Sequence, residues 1–240
     1  MIGLIGGYNL ENILSEKKWR SVKTAFGNPS SKIATGEIAG KKIALILRHG
    51  EKHSIPPHKI NHQANIRALS DLGVEYIVCT AAVGIINSKI KLGGFILPDD
   101  FIDFSFQPVT FFDKFEKEPR HAFMGNPYSR QLRGAIADAA KKLKIKIQDG
   151  GVYANTSGPR FETQAELKMI KKLGGDMVGM TNIPEIILAN ELKLKIATIA
   201  QGVNPTIAAK AADFENFSAV IDAKTKQLYS LINETIKILP

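Results

Sequence analysis

The sequence predicts an α/β fold, a single domain over residues 1–240 in which helices flank a central sheet. Short apolar segments typical of strands alternate along the chain with segments of helical periodicity. The length is enough for one large hydrophobic core. Neither an internal repeat nor a Pro/Ser-rich linker divides the chain. In such a sheet, binding sites are expected where strands end and helices begin.

Strands are predicted wherever a short run of apolar residues is bounded by turn residues. In chain order these are Met1–Ile5, Lys42–Leu47, Tyr76–Cys79, Gly94–Leu97, Gly151–Ala154, Met177–Met180 and Lys195–Ala200. Helices are predicted where apolar residues recur every three or four positions. These are Asn61–Leu72, Tyr128–Lys142, Glu162–Leu173, Ile183–Glu191 and Ser218–Leu239.

The chain is basic, with a formal net charge of +9 and a pI of about 9.5. Its lysines are scattered as short pairs such as Lys41-Lys42 and Lys141-Lys142, without the interleaved aromatic residues that stack on bases. This pattern is typical of solvated helix faces, and we expect no nucleic-acid partner. The positive field still favours a small anionic substrate.

Cys79, the single cysteine, lies in an apolar run and is expected to be a buried hydrophobe. No disulfide can form within the chain, which favours a reducing, cytoplasmic setting. The apolar runs fall short of the about 18 residues that a membrane helix needs, and no signal peptide is recognisable. We therefore expect no membrane partner and a complete chain.

The first predicted strand ends in Gly6-Gly7, followed by Tyr8. Paired glycines after a strand often leave bare backbone N–H groups facing an anion. The segment lacks the spacing of a dinucleotide-binding fingerprint and of a P-loop. A tight turn without a ligand explains the glycines equally well.

Four of the five histidines lie in the stretch LRHGEKHSIPPHKINHQ. Pro56-Pro57 divides them, so they cannot share one helix face, and a metal site is the less favoured interpretation. The alternative is an anion site in which Arg48 supplies a fork of donors and His49 its backbone N–H.

A third polar group comes from the stretch NTSGPRFETQAEL and the segment GMTNIPE. Glu162 and Thr163 fall at a predicted helix start beside Phe161, and Thr181 and Asn182 follow a predicted strand. Polar groups that converge on an aromatic face suit a purine-sized ligand. The alternative is an ordinary helix–strand–helix segment.

Taken together, the motifs GLIGG, RHG, HSIPPHKINHQANI, TAAVG, GPRFET and GMTNIPEIILANEL resemble the methylthioadenosine phosphorylase branch of the purine nucleoside phosphorylase family. The resemblance runs in order over nearly the whole chain. It implies a mixed, partly barrel-like sheet flanked by helices and a homotrimer or hexamer. It also implies cleavage of a nucleoside N-glycosidic bond by inorganic phosphate, with neither metal nor organic cofactor.

The resemblance also implies roles for individual residues. The phosphate site would include Arg48, also expected to be catalytic, together with Gly7, His49, Ala82 and Thr181. Met180 would lie along the ribose and Phe161 on the base. His121 would reach a neighbouring subunit's sugar, and Phe217, Val220 and Ile221 would cover the 5′ substituent. Two hydroxyl contacts to phosphate are missing, because Tyr8 and Ala81 stand where the family has serine or threonine.

The residues expected to bind the base depart from the adenine-specific pattern. Asn204 stands where those members have a catalytic aspartate, and Thr206 where a second would be. Glu162 can accept a hydrogen bond from N1–H, while Asn204 can donate to O6 and accept from protonated N7. This pattern favours a 6-oxopurine nucleoside such as inosine, guanosine or 5′-methylthioinosine. The alternatives are a methylthioadenosine phosphorylase with an altered base pocket and a nucleoside-binding homologue with an impaired phosphate site.

Overall fold

The structure is a computed structural model that describes residues 1–7, 10–105, 108–115, 118–206 and 214–240. Five α-helices occur within these ranges. They are α1 (His62–Asp71), α2 (Arg130–Lys142), α3 (Gln164–Lys172), α4 (Asn182–Glu191) and α5 (Phe214–Ile238). Short 3-10 turns cover Leu10–Asn12 and Pro57–Lys59.

The described ranges contain eleven strands. They are β1 (Ile2–Gly6), β2 (Lys18–Arg20), β3 (Ile33–Ile38), β4 (Lys41–Leu47), β5 (Tyr76–Ile85), β6 (Phe95–Leu97), β7 (Asp100–Asp103), β8 (Ile147–Asp149), β9 (Val152–Asn155), β10 (Met177–Gly179) and β11 (Lys195–Pro205).

All of these strands join one mixed sheet that branches at β5. The first half of β5 lies between β1 and β11 and is parallel to both. Beyond the end of β1, the second half of β5 pairs with β10 in antiparallel fashion. The main path runs β2-β3-β4-β1-β5-β10-β9-β7, while β11 continues through β6 to β8. The predicted α/β class, with a mixed sheet flanked by helices, is confirmed.

The hydrophobic core lies on the two faces of this sheet. Along β5, Val78 belongs to the layer under α2 and α5, whereas Ile77 and Cys79 belong to the layer under α1 and α4. This alternation follows from the two-residue period of a strand, and both faces are apolar because helices cover both.

All five predicted helices are present, and side-chain caps explain where several begin. Asn61, Ser129 and Thr163 each accept a hydrogen bond from the backbone N–H three residues on, so α1, α2 and α3 start just after them. Thr163 also forms a capping box with Glu166.

The seven predicted strands are present, but two were predicted too short and four others were not predicted. Strands β5 and β11 extend to Ile85 and Pro205, through the segments TAAVGI and QGVNP, which contain few large apolar residues. Strands β2, β3, β7 and β8 were not predicted, because they are short or carry polar residues on an exposed face.

Two backbone features place Asn204 at the end of the extended strands. The pairing of β11 with β5 is irregular between Gly202 and Asn204, and such a bulge re-aims the side chains that follow it. Gly84 allows β11 to approach closely, since a Cβ there would lie 2.3 Å from Thr206 Cγ2.

No helix in the described ranges combines the length and the apolar character needed to cross a bilayer.

Candidate active site

A cavity of about 590 Å³ opens where β1, β4, β5, β10 and β11 end, and α5 forms one of its walls. It brings together predicted site residues from distant parts of the sequence. Its lining includes Gly7, Arg48, His49, Ala81, Ala82, Phe161, Glu162, Met180, Thr181, Asn204, Thr206, Phe217 and Ile221.

Arg48 lies at one end of this cavity, next to the glycine turn. Its backbone N–H donates to Gly6 O at 2.8 Å, which holds the end of β1 beside the end of β4. The guanidinium is fully buried and donates through Nε and Nη2 to the two carboxylate oxygens of Glu185, at 2.6 and 2.7 Å. Nη1 donates to Thr80 O at 2.9 Å. One N–H of Nη1 and one of Nη2 lie outside these bonds, so only that edge is available to an anion.

Glu185 is the buried counter-charge of Arg48, and sequence reasoning did not single it out. Burial alone would raise the pKa of its carboxyl, but the charge and hydrogen bonds of Arg48 lower that pKa to about 2. Asn182 Nδ2 lies 3.4 Å from Glu185 Oε2, and Asn182 Oδ1 accepts from Thr198 at 2.6 Å. The carboxylate is therefore held in a buried polar network of α4 and β11.

The N-terminus of α4 contributes to the same end of the cavity. Thr181 precedes the helix, and its side chain makes no capping hydrogen bond to it. Backbone N–H groups at a helix start carry partial positive charge and bind anions well. With Arg48 and the Gly7 turn nearby, this end of the cavity suits an anion the size of phosphate.

His49 lies in the same region as a neutral imidazole. Its Nδ1 lies 2.8 Å from Ile55 O, and its ring stacks on that of His53 with centroids 4.5 Å apart. Burial, together with the nearby charge of Arg48, lowers the pKa of His49 to about 4. His49 is therefore not a source of positive charge near neutral pH. Among the described residues, no group of three His, Cys, Asp or Glu side chains could hold a metal ion.

The opposite end of the cavity combines aromatic and polar side chains. Phe161 is 41% exposed at the rim, edge-on to Phe217 with centroids 6.3 Å apart. Glu162 Oε1 accepts a hydrogen bond from Thr156 at 2.6 Å. Asn204 is half-buried beside them. The Thr206 hydroxyl donates to Ile85 O at 2.9 Å, so its hydrogen is turned to the backbone rather than to a ligand.

The wall that α5 forms is largely apolar and includes Phe217, Ile221 and Leu228. Val220 does not line the cavity. Its side chain lies close to Gly93 instead. The Val220 carbonyl accepts a hydrogen bond from Gln201 Nε2 at 3.0 Å, which fixes the start of α5 against β11.

Two predicted site residues besides Val220 are not among those that line the cavity. Tyr8 lies outside the described residues. His121 is exposed, packs edge-on to Phe115 and borders a separate hollow beside the end of α4. Its expected role toward a neighbouring subunit stays a prediction.

Comparison with known proteins identifies the family of this chain. Residues 2–237 match the phosphorylase superfamily. The chain belongs to this superfamily.

Named members of the superfamily differ in their substrates. A probable 6-oxopurine nucleoside phosphorylase of Moorella thermoacetica is 40% identical over all of this chain and 93% of its own. A probable S-methyl-5′-thioinosine phosphorylase of Methanothermobacter thermautotrophicus is 37% identical over all of this chain and 84% of its own. The solved methylthioadenosine phosphorylase of Schistosoma mansoni, in complex with adenine, superposes with a TM-score of 0.93 at 27% identity, covering 99% of this chain and 91% of that one.

The resemblance to nucleoside phosphorylases inferred from the motifs is thus confirmed for the family and for the fold. Overall identity to these proteins does not separate the substrates, since members named for different purine nucleosides are almost equally similar.

The buried pair predicts a large effect of Glu185→Gln. The amide cannot neutralise Arg48, and breaking a buried ion pair typically costs about 3–5 kcal/mol. We expect the free energy of unfolding in urea to fall by about that amount. Phosphate affinity should fall too, because Arg48 loses its fixed orientation.

Asp71→Asn is the matched control, because Asp71 pairs with Arg67 at 2.9 Å on the exposed surface. An exposed pair contributes about 0–1 kcal/mol, so this variant should be nearly as stable as the parent protein. Equal stability of the two variants would show that Arg48 does not depend on Glu185.

The low pKa of His49 predicts a pH-dependent stability. An unfolded histidine titrates near pH 6.5. Between about pH 6.5 and 4 the unfolded chain therefore takes up a proton that the folded chain refuses. The contribution of His49 to the free energy of unfolding is therefore fully present above about pH 6.5. It is lost as the pH falls toward 4, and the loss is about 2 kcal/mol at pH 5.

Unfolding in urea at pH 7 and pH 5, in buffers without phosphate, measures this effect. The parent protein should lose more stability than His49→Gln over this interval. His58→Gln, at an exposed histidine, is the control and should behave like the parent. An identical loss in His49→Gln would mean that another group causes the pH dependence.

Proposed function

We propose that this phosphorylase cleaves the N-glycosidic bond of 6-oxopurine nucleosides with inorganic phosphate, giving the free base and a sugar 1-phosphate. The observation that carries the proposal is one cavity with two chemically different ends. Arg48 hydrogen-bonds to Thr80 of β5, whereas Asn204 pairs with Gly84, four residues further along that strand, and Glu162 lines the same cavity. An anion and a purine held there would have the sugar between them.

At the anion end, the protein's task is to hold phosphate in position to attack C1′ of the sugar. The free edge of Arg48 and the backbone N–H groups at Gly7 and the start of α4 are suitable donors. Holding two reactants in the right geometry is itself a large part of catalysis. Thr181 can add a hydroxyl contact, whereas Ala81 offers only a methyl group.

At the base end, the task is to stabilise the negative charge that the purine gains as it leaves. Phe161 offers a face on which the ring can stack. The Asn204 side chain can donate to O6 while its oxygen accepts from protonated N7, and Glu162 can accept from N1–H. These contacts strengthen as charge develops on the base, which is the condition for catalysis.

Glu162 disfavours a 6-aminopurine. N1 of adenine has a lone pair and no hydrogen, so it would face the Glu162 carboxylate with nothing to donate. The Asn204 amide does not add to this selection, because after a flip its oxygen accepts from the 6-amino group and its nitrogen donates to N7. A site built to hydrogen-bond one functional group rejects an analogue that lacks it.

The α5 wall of the cavity favours an apolar 5′ substituent such as methylthio, because it is formed by Phe217, Ile221 and Leu228. 5′-Methylthioinosine therefore joins inosine and guanosine as a candidate substrate. We also propose that the enzyme needs no metal or organic cofactor and takes part in purine salvage in the cytoplasm. Assembly into trimers or hexamers is proposed from the exposed position of His121 near Phe115.

Phosphate-dependent base release tests this function. The substrates are inosine, guanosine, adenosine, 5′-methylthioinosine and 5′-methylthioadenosine. Hypoxanthine or guanine should be released faster than adenine, and only when phosphate is present. Chromatography of base and sugar phosphate measures both products. Binding of nucleoside without any phosphorolysis would instead identify a nucleoside-binding homologue.

Asn204→Asp should shift the preference toward 6-aminopurines. A protonated aspartate can transfer its proton to N7 of a leaving adenine, which an amide cannot, while its other oxygen accepts from the 6-amino group. We expect the kcat/KM ratio of methylthioinosine to methylthioadenosine to fall by about one order of magnitude or more. Asn28→Asp, at an exposed loop position, is the control for the added charge. An unchanged ratio in Asn204→Asp would show that Asn204 does not contact the base.

A further inference from the structure

A hydrogen bond between Thr156 and Glu162 supports a loop at the edge of the cavity. The Thr156 hydroxyl donates to Glu162 Oε1 at 2.6 Å, across the loop that joins β9 to α3. Glu162 lines the cavity, whereas Thr156 does not. The hydroxyl therefore contacts the carboxylate from outside the space that a ligand would fill.

We propose that Thr156 is a positioning residue for base specificity, because its hydroxyl fixes the Glu162 carboxylate toward the purine N1 position. The inference rests on the proposed function, in which Glu162 accepts from N1–H of a 6-oxopurine.

The two residues differ in how firmly the fold holds them. Thr156 follows β9 directly, and its backbone N–H donates to Gly179 O at 2.9 Å, so the sheet holds it. Glu162 lies in the loop before α3, whose nearest capping contact is at Thr163. Among the described residues, the Thr156 hydroxyl is thus the side-chain group that ties the Glu162 carboxylate to the sheet.

The bond also divides the two carboxylate oxygens between two tasks. Oε1 accepts from Thr156, which leaves Oε2 as the acceptor for a single N–H of the base. A carboxylate without this anchor can rotate about its terminal bond, and the contact to N1–H is then made only part of the time. A preorganised acceptor discriminates best between a base that carries N1–H and one that does not.

Thr156→Val tests the proposal, because valine keeps the shape and removes only the hydroxyl. We expect the kcat/KM ratio of inosine to adenosine, and of their methylthio analogues, to fall about tenfold. Thr156→Ser keeps a hydroxyl and should stay within about twofold of the parent ratio. Thr156→Ala gives the same readout if the valine variant folds poorly.

Ser157→Ala is the matched control. Its hydroxyl is one residue further along the same loop and donates to Ser105 O at 3.0 Å, not to Glu162. Loss of this hydroxyl should leave the ratio unchanged. An equal fall in Ser157→Ala would mean that general loosening of the loop, not the Thr156 contact, changes the base preference, and would overturn the proposal.

A double-mutant cycle with Glu162→Ala identifies the route of the effect. If Thr156 acts through Glu162, then Thr156→Val should change the ratio no further once the carboxylate is gone. A tenfold fall in the Glu162→Ala background, or no fall in the parent background, overturns the proposal. The parent enzyme separates this from the proposed function: a parent without 6-oxopurine preference contradicts both, whereas a preference that survives Thr156→Val contradicts this inference alone.

Discussion

The buried ion pair of Arg48 and Glu185 is the interaction on which the anion end of the cavity depends. It joins the end of β4 to α4, and through Thr80 O it also fixes β5. Neither charge is tolerable alone in this interior, so each requires the other. Because the pair is neutral as a whole, the groups at this end that can attract an anion are the remaining N–H groups of Arg48 and the start of α4.

Sequence patterns predicted the helices well because their periodicity is strong and their caps are recognisable, as Asn61, Ser129 and Thr163 illustrate. The strands were harder to predict. The Lys18–Arg20 strand is short and exposed at a sheet edge, so it has no apolar alternation to detect. The second half of β5 consists of small residues that resemble a loop, although pairing with β10 and β11 extends it.

The site shows the same division between local and distant information. Arg48 could be proposed because it lies in the motif RHG, and Asn204 because it stands where adenine-specific members have an aspartate. Glu185 lies in the motif GMTNIPEIILANEL but could not be singled out, since its partner is 137 residues away and it resembles an ordinary helix residue. Thr156 lies just before the motif GPRFET, and only the folded loop shows that its hydroxyl faces Glu162 rather than solvent.

The two ends of the cavity therefore differ in how freely they can change. At the anion end, Arg48 and Glu185 form a buried ion pair, and replacing either one leaves an unpaired charge inside the protein. At the base end, Glu162 and Asn204 are only partly buried and project from a loop and from a bulged strand end. Under the function proposed above, substitutions there change the hydrogen-bond pattern offered to a purine while leaving the sheet and its core intact. One fold can then accompany different purine preferences.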